Sequence, residues 1–156
     1  MEECRGRVER ALATIAVGAG WDARREMRFH AALAQSLILT TGSAGPKIKE
    51  AWTKAFGIAE SLDDAEYQLR SLWSLWFHHT NSGPHHVALT LAQKFCSLAA
   101  TQSDPSDRLV GERLIGTSRY YLGDWSARGD TSKACSLITS LPTLARTSFD
   151  FRSTWA

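Results

Sequence analysis

Two apolar stripes of helical period, set on either side of one turn, constrain this chain more than any other feature. Leu69, Leu72, Trp73, Trp76 and Phe77 recur at helical spacing in AEYQLRSLWSLWFHHT, and Ala88, Leu91, Ala92, Phe95, Leu98 and Ala99 do so in HVALTLAQKFCSLAA. Asn81-Ser82-Gly83-Pro84 breaks the pattern between them. Gly83 can take positive φ, and Pro84 suits the first turn of the following helix. Such a hairpin cannot hide its whole apolar surface alone, so it needs helical neighbours.

The flanking sequence supplies them. Residues 5–16 predict a short amphipathic helix with Val8, Ala11, Leu12 and Ile15 on one face, ended by Gly18-Ala19-Gly20. Asp22 predicts the N-cap of a second helix, with Glu26 placed for a loose capping box. That helix carries Phe29, Leu33, Leu37 and Ile38 and stops at Thr41-Gly42. After the loop Gly42-Ser43-Ala44-Gly45-Pro46, a third helix is expected from Lys47 to about Leu62, with Ile48, Ala51, Trp52, Ala55, Ile58, Ala59 and Leu62 inward. Asp63-Asp64 can cap the first helix of the hairpin. Asp104-Pro105-Ser106-Asp107 then breaks the chain before a helix through Val110, Leu114, Ile115 and Ser118 to Leu122, closed by Gly123. Sustained alternation is absent and β-branched residues do not cluster. The expected fold is all-α, with short connections making neighbouring helices antiparallel.

The pattern also recurs. Lys54 and Lys94, Ala55 and Phe95, Phe56 and Cys96, Ile58 and Leu98, and Ala59 and Ala99 are each 40 residues apart, as are Gly83 and Gly123. Leu33 and Leu72, Leu37 and Trp76, and Ile38 and Phe77 differ by 39. A unit of helix, turn, helix and linker follows. A non-repetitive helical bundle would explain the apolar faces equally. The joint recurrence of turn signals and small residues favours hairpins stacked in an array.

Composition narrows the role. The chain has 156 residues, one domain's worth, with 44% apolar residues and a formal net charge of +2. So balanced a charge gives no electrostatic mandate for nucleic acid or membrane. Six Trp suit bulky helix–helix packing, and three unclustered Cys do not make a disulfide framework. Cys96 reads as a small core residue. MEECRGRVER lacks the apolar segment of a secretory signal, and no apolar run approaches the roughly 20 residues that span a bilayer. The expected setting is the reducing cytoplasm, and the expected partner is a protein or peptide.

Ile115-Gly116 followed by Tyr120-Tyr121-Leu122-Gly123-Asp124 resembles the first-helix consensus of tetratricopeptide repeats, Leu-Gly…Tyr…Gly-Asp. Ala88, five after Gly83, stands where that repeat opens its second helix with a small residue, and Lys54-Ala55-Phe56 resembles its Lys-Ala-Leu. Small residues belong where paired helices cross closely. Phe95 and Trp76 depart from the small residues usual at their positions, and the period exceeds the usual one of about 34. The wider run over 5–124 resembles the C-terminal repeats of large bacterial signalling regulators. In that family a winged-helix or cyclase domain precedes a STAND-type ATPase and then helical repeats. The resemblance implies a tetratricopeptide-like α-α superhelix over 1–125, acting as an interaction or sensory module and a fragment of a signalling or transcriptional regulator. Any ATPase site would lie in the parent, upstream.

Residues 126–156 leave the pattern. Ala127 arrives four positions after Gly123 where five are expected, and the Ser- and Thr-rich tail carries Pro142 in its best apolar run. The tail is out of register with its ancestor through a small deletion or frameshift, or it is a divergent cap. With Val8 to Ile15 reading as a second helix without its first, the chain is expected to begin and end inside a repeat.

Chemistry is sparse. His78, His79, His85 and His86 flank one turn and form the basis of an alternative reading, a small helical metal-binding protein or enzyme. Adjacent helical residues point about 100° apart, so at most one imidazole of each pair converges. Polar residues at a solvated helix end explain them more simply. Gly42 to Lys47 has two residues between its glycines where a phosphate loop needs four, and Pro46 removes an amide donor. Asp63, Asp64, Glu60 and Glu66 form an acidic cluster that N-capping explains. Neither a catalytic residue nor a cofactor is expected. What remains is a partner-binding groove. Carried over from the repeat, Arg70, Trp73 and Phe77 of one hairpin and Arg113, Thr117 and Tyr120 of the next would line it, aromatics and Arg being favoured at such surfaces. Trp73 and Phe77 also suit a core role.

Overall fold

The computed structural model describes residues 22–42 and 45–124, together with positions 3, 6, 7 and 10. Val8, Ala11, Leu12 and Ile15 of the expected first helix, and the tail 126–156, lie outside the described residues. Five helices are described, α1 (Ala23–Thr41), α2 (Pro46–Ser61), α3 (Ala65–Ser82), α4 (His85–Ala99) and α5 (Pro105–Tyr121), and no strand occurs among the described residues. No described helix is long and apolar enough to cross a membrane.

The helix ends follow local chemistry. Asp22 Oδ1 accepts from the Arg24 amide at 3.0 Å, Asp64 Oδ1 from Tyr67 at 3.2 Å, and Asp104 Oδ1 from Ser106 at 2.8 Å. These bonds satisfy amides that the helices cannot pair internally. Pro46 and Pro105 occupy first-turn positions, where a missing N–H costs nothing. Gly42 and Gly83 close α1 and α3 at φ 80° and 129°, conformations that a Cβ disfavours. Glu26, read as half of a capping box, lies with Oε1 3.7 Å from His30 Nε2.

Contacts at the helix ends set the direction of each element. Gln68 Nε2, in the first turn of α3, donates to the Ala59 carbonyl late in α2 at 3.3 Å. His85, opening α4, stacks on Tyr121, closing α5, at 5.0 Å between centroids. Consecutive helices are therefore antiparallel. Every second helix also meets. Arg24 Nη2 lies 3.4 Å from Asp64 Oδ2, linking the starts of α1 and α3, and Lys94 Nζ lies 3.1 Å from Glu60 Oε1, linking the ends of α2 and α4. Trp76 Nε1 donates to Ser118 Oγ at 2.8 Å, linking α3 to α5. Surface ion pairs of this kind add little stability, but they fix the relative placement.

Two apolar clusters share α3. Met27, Ala31, Ala34 and Leu37 of α1 meet Ile48, Ala51, Trp52, Ala55 and Ala59 of α2, with Tyr67 and Leu75 from one flank of α3. Leu69, Leu72 and Trp76 from its other flank meet Ala88, Ala92, Phe95 and Ala99 of α4 and Leu114 of α5. Phe56 and Leu91 pack against both clusters. Helix α3 is consequently covered on two sides, and His78 and His79 at its end are 5% and 7% exposed. The expectation of a solvated helix end is corrected for these two, while His85 is half-buried and His86 exposed. The apolar face of α1 is corrected too. Leu37 is buried as expected, but Phe29, Leu33 and Ile38 are only half-buried, while Met27, His30, Ala31, Ala34 and Ser36 fill the seam.

Burial recurs at an offset of 40. Ile48 and Ala88, Trp52 and Ala92, Ala55 and Phe95, and Ala59 and Ala99 are buried in α2 and α4 alike. Trp52 beside Ala55 becomes Ala92 beside Phe95, so each pair keeps one large and one small side chain. Between α3 and α5 the buried pairs are Ser71 and Gly111, Ser74 and Leu114, and His78 and Ser118. Leu69 and Leu72, buried in the second cluster, correspond to Leu109 and Glu112, which are exposed.

Gly111 marks the tightest crossing. A Cβ there would stand 2.5 Å from Cys96 Sγ, 3.2 Å from Phe95 Cδ1 and 3.3 Å from Cys96 Cα. Gly57, by contrast, sits exposed within α2 with nothing within 4 Å of such a Cβ. Gly57→Ala should therefore stabilise the fold by up to about 1 kcal/mol in urea denaturation. Gly111→Ala should destabilise it by about 1–3 kcal/mol, through overpacking that outweighs the better helix propensity, and Cys96→Ala in the same chain should recover much of the loss. Ser118→Ala strands the buried Trp76 N–H and should cost about 1–3 kcal/mol in the same measurement.

Candidate functional site

The residues expected to line a groove fall on two helices joined by the Trp76–Ser118 bond. On α3, Arg70, Trp73 and Phe77 share one face by their 3–4 spacing, and all three are half-buried. Trp73 and Phe77 stack nearly parallel, 5.5 Å between centroids and 3° between planes. Both also pack against the second apolar cluster, so their inner edges belong to the core. The Arg70 guanidinium lies 5.7 Å from the Tyr67 ring centroid, which ties its charge to an aromatic face. On α5, Arg113, Thr117 and Tyr120 share a face by their 4–3 spacing. Arg113 and Thr117 are half-buried, and Tyr120 is 57% exposed with its ring edge-on to Tyr121 at 5.7 Å. The stripes thus combine two guanidinium groups, a flat aromatic pair and an exposed phenol.

The α3–α4 corner holds the histidines. His78 and His79 meet edge to face at 5.3 Å. Burial holds the His79 pKa below the ordinary imidazole value, and His78, Lys49 and His86 push it further down. The Nδ1 atoms of His79 and His85 are buried without a hydrogen-bond partner. Among the described residues, no three His, Cys, Asp or Glu side chains converge on a position where a metal could sit. On α1, burial and Lys54 lower the pKa of His30, while Glu26 and Glu50 pull it back up.

The other candidates resolve into structural roles. Within the acidic cluster, Asp64 caps α3 and meets Arg24, and Glu60 meets Lys94. Cys96 is half-buried, and burial followed by Glu112 raises its thiol pKa, which keeps it protonated and a poor nucleophile. Gly45 caps α2 through its backbone, and Pro46 follows at the first turn. Reading the sequence missed Tyr67, Leu75 and the Trp76–Ser118 bond. Tyr67 and Leu75 lie on the second flank of α3, which a single-stripe reading leaves polar. The bond joins residues 42 positions apart, and only the buried correspondence of His78 with Ser118 at an offset of 40 hints at it. No protein-family model, curated protein or solved structure matches the chain.

Proposed function

We propose that this chain is a module of tetratricopeptide-like helical hairpins that binds a protein or peptide partner and performs no catalysis itself. On this reading it is a fragment of a signalling or transcriptional regulator that works in the cytoplasm, its parent resembling the bacterial STAND-type ATPase regulators. The observation that carries the reading is the contact between every second helix, α1 with α3, α2 with α4 and α3 with α5, on top of antiparallel packing between consecutive ones. Helices so arranged form two rows, and an array of rows presents a continuous face to a ligand. The recurrence of burial at an offset of 40 supports the same reading.

The face assigned to the partner is the row containing α3 and α5. Arg70, Trp73 and Phe77 would grip one part of an extended segment and Arg113, Thr117 and Tyr120 the next. The aromatic pair supplies rigid contact area, and the two arginines favour acidic side chains or a carboxylate.

The test is selection from a displayed random peptide library on the full chain, followed by titration of the selected peptide. Arg70→Ala, Arg113→Ala and Tyr120→Ala should each weaken that peptide by about tenfold, with far-ultraviolet circular dichroism unchanged. Trp73→Ala should do the same. Loss of helical signal in Trp73→Ala would assign that side chain to the core, and the Arg variants would then decide. A selected peptide whose affinity ignores all four substitutions would remove this face from consideration.

A further inference from the structure

Four imidazoles surround the junction of α3 and α4, and the surroundings of His79 suit only its neutral form. Its side chain is buried at 7% exposure, and Nδ1 has no hydrogen-bond partner. The titratable groups that bear on it are His78 on its own helix, Lys49 on α2 and His86 on α4. Its neighbour His85 is stacked on Tyr121 of α5. Lys49 is cationic, and none of the three groups that bear on His79 is a carboxylate. The last carbonyls of α3 favour a cation at this end of the helix, but burial beside Lys49 outweighs them. His30 differs, because Glu26 and Glu50 there partly offset burial and Lys54.

We propose that the α3–α4 corner is a pH-sensitive latch. With neutral imidazoles it stays packed, and protonation of His79 opens it while α1 and α2 remain paired. The direction follows from linkage. An imidazole freed by opening takes up its proton near pH 6.5, whereas the packed His79 resists it to lower pH. Above about pH 6.5 the corner carries no penalty. As the pH falls through that value, the open form binds more protons and gains population. Opening also removes the His85–Tyr121 stack, so the end of α5 loosens with the corner.

Hydrogen exchange of the full chain, read by mass spectrometry and corrected for intrinsic exchange rates, tests the latch. Between about pH 7.5 and 5.5, protection over residues 74–90 should fall by up to about tenfold, the ceiling for one imidazole, while protection over 48–58 changes less than about threefold. His79→Leu keeps an apolar group in the site without a proton to bind, and should make the 74–90 signal independent of pH. Lys49→Glu changes an exposed side chain on α2, and by giving His79 an anionic neighbour should shrink the acid loss to about threefold or less. Retention of the full acid loss by Lys49→Glu would overturn the proposal, whether or not His79→Leu folds. Protection over 74–90 that does not change with pH, or an equal fall along the whole chain, would overturn it too.

Discussion

Small residues at the helix crossings hold this structure together. Ala51, Ala55, Ala59, Ala88, Ala92, Ala99 and Gly111 are all buried, and each lets a neighbouring backbone come closer than a larger side chain would allow. Bulky partners fill the spaces that close approach leaves: Trp52 and Met27 between the first helices, Phe95 and Leu114 between the last. Close packing of this sort gains many weak dispersion contacts per residue and tolerates little change in volume. Gly111 is the extreme case, a residue of poor helix propensity held in mid-helix because Cys96 and Phe95 press against it.

Much of this was legible in the sequence. The positions of α2 to α5, the caps at Asp22 and Asp64, the break at Asp104 and the ends at Gly83 and Gly123 all follow from local chemistry, which acts within a turn or two. The inward face of α2 was also legible, because Ile48, Ala51, Trp52, Ala55 and Ala59 form one unbroken stripe. Helix α1 was harder. Its seam is built from Met27, His30, Ala31 and Ala34, and a search for large aliphatic residues passes over small and polar ones. Helix α3 was harder still, because it buries two opposite flanks while periodicity reports only the stronger one. The groove residues could be placed on common faces by spacing. Their shared burial between core and surface could not be read, since it depends on which helices lie beside them.

Polar atoms inside the array set its character as much as the apolar ones. Trp76 and Ser118 satisfy each other across a distance in sequence that no local rule covers. His30, Trp52, Ser71 and His79 instead bury nitrogen or oxygen atoms without partners. Each such atom costs desolvation without the return of a bond. Together they make the interior less stable than an all-apolar one. Two of them are imidazoles in different surroundings: His30 has Lys54 and two carboxylates beside it, and His79 has Lys49 and no carboxylate.

Packing between helices close in sequence has a consequence for how the chain reaches this state. Consecutive helices are joined by connections of a few residues, and the farthest partners described, such as Trp76 and Ser118, are only one hairpin apart. Among the described residues, no segment has to find a partner across the length of the chain. The entropy of loop closure is therefore small at every step, and each hairpin can form against the one already folded. Assembly can proceed one helix at a time, from the N-terminal side as the chain emerges during synthesis.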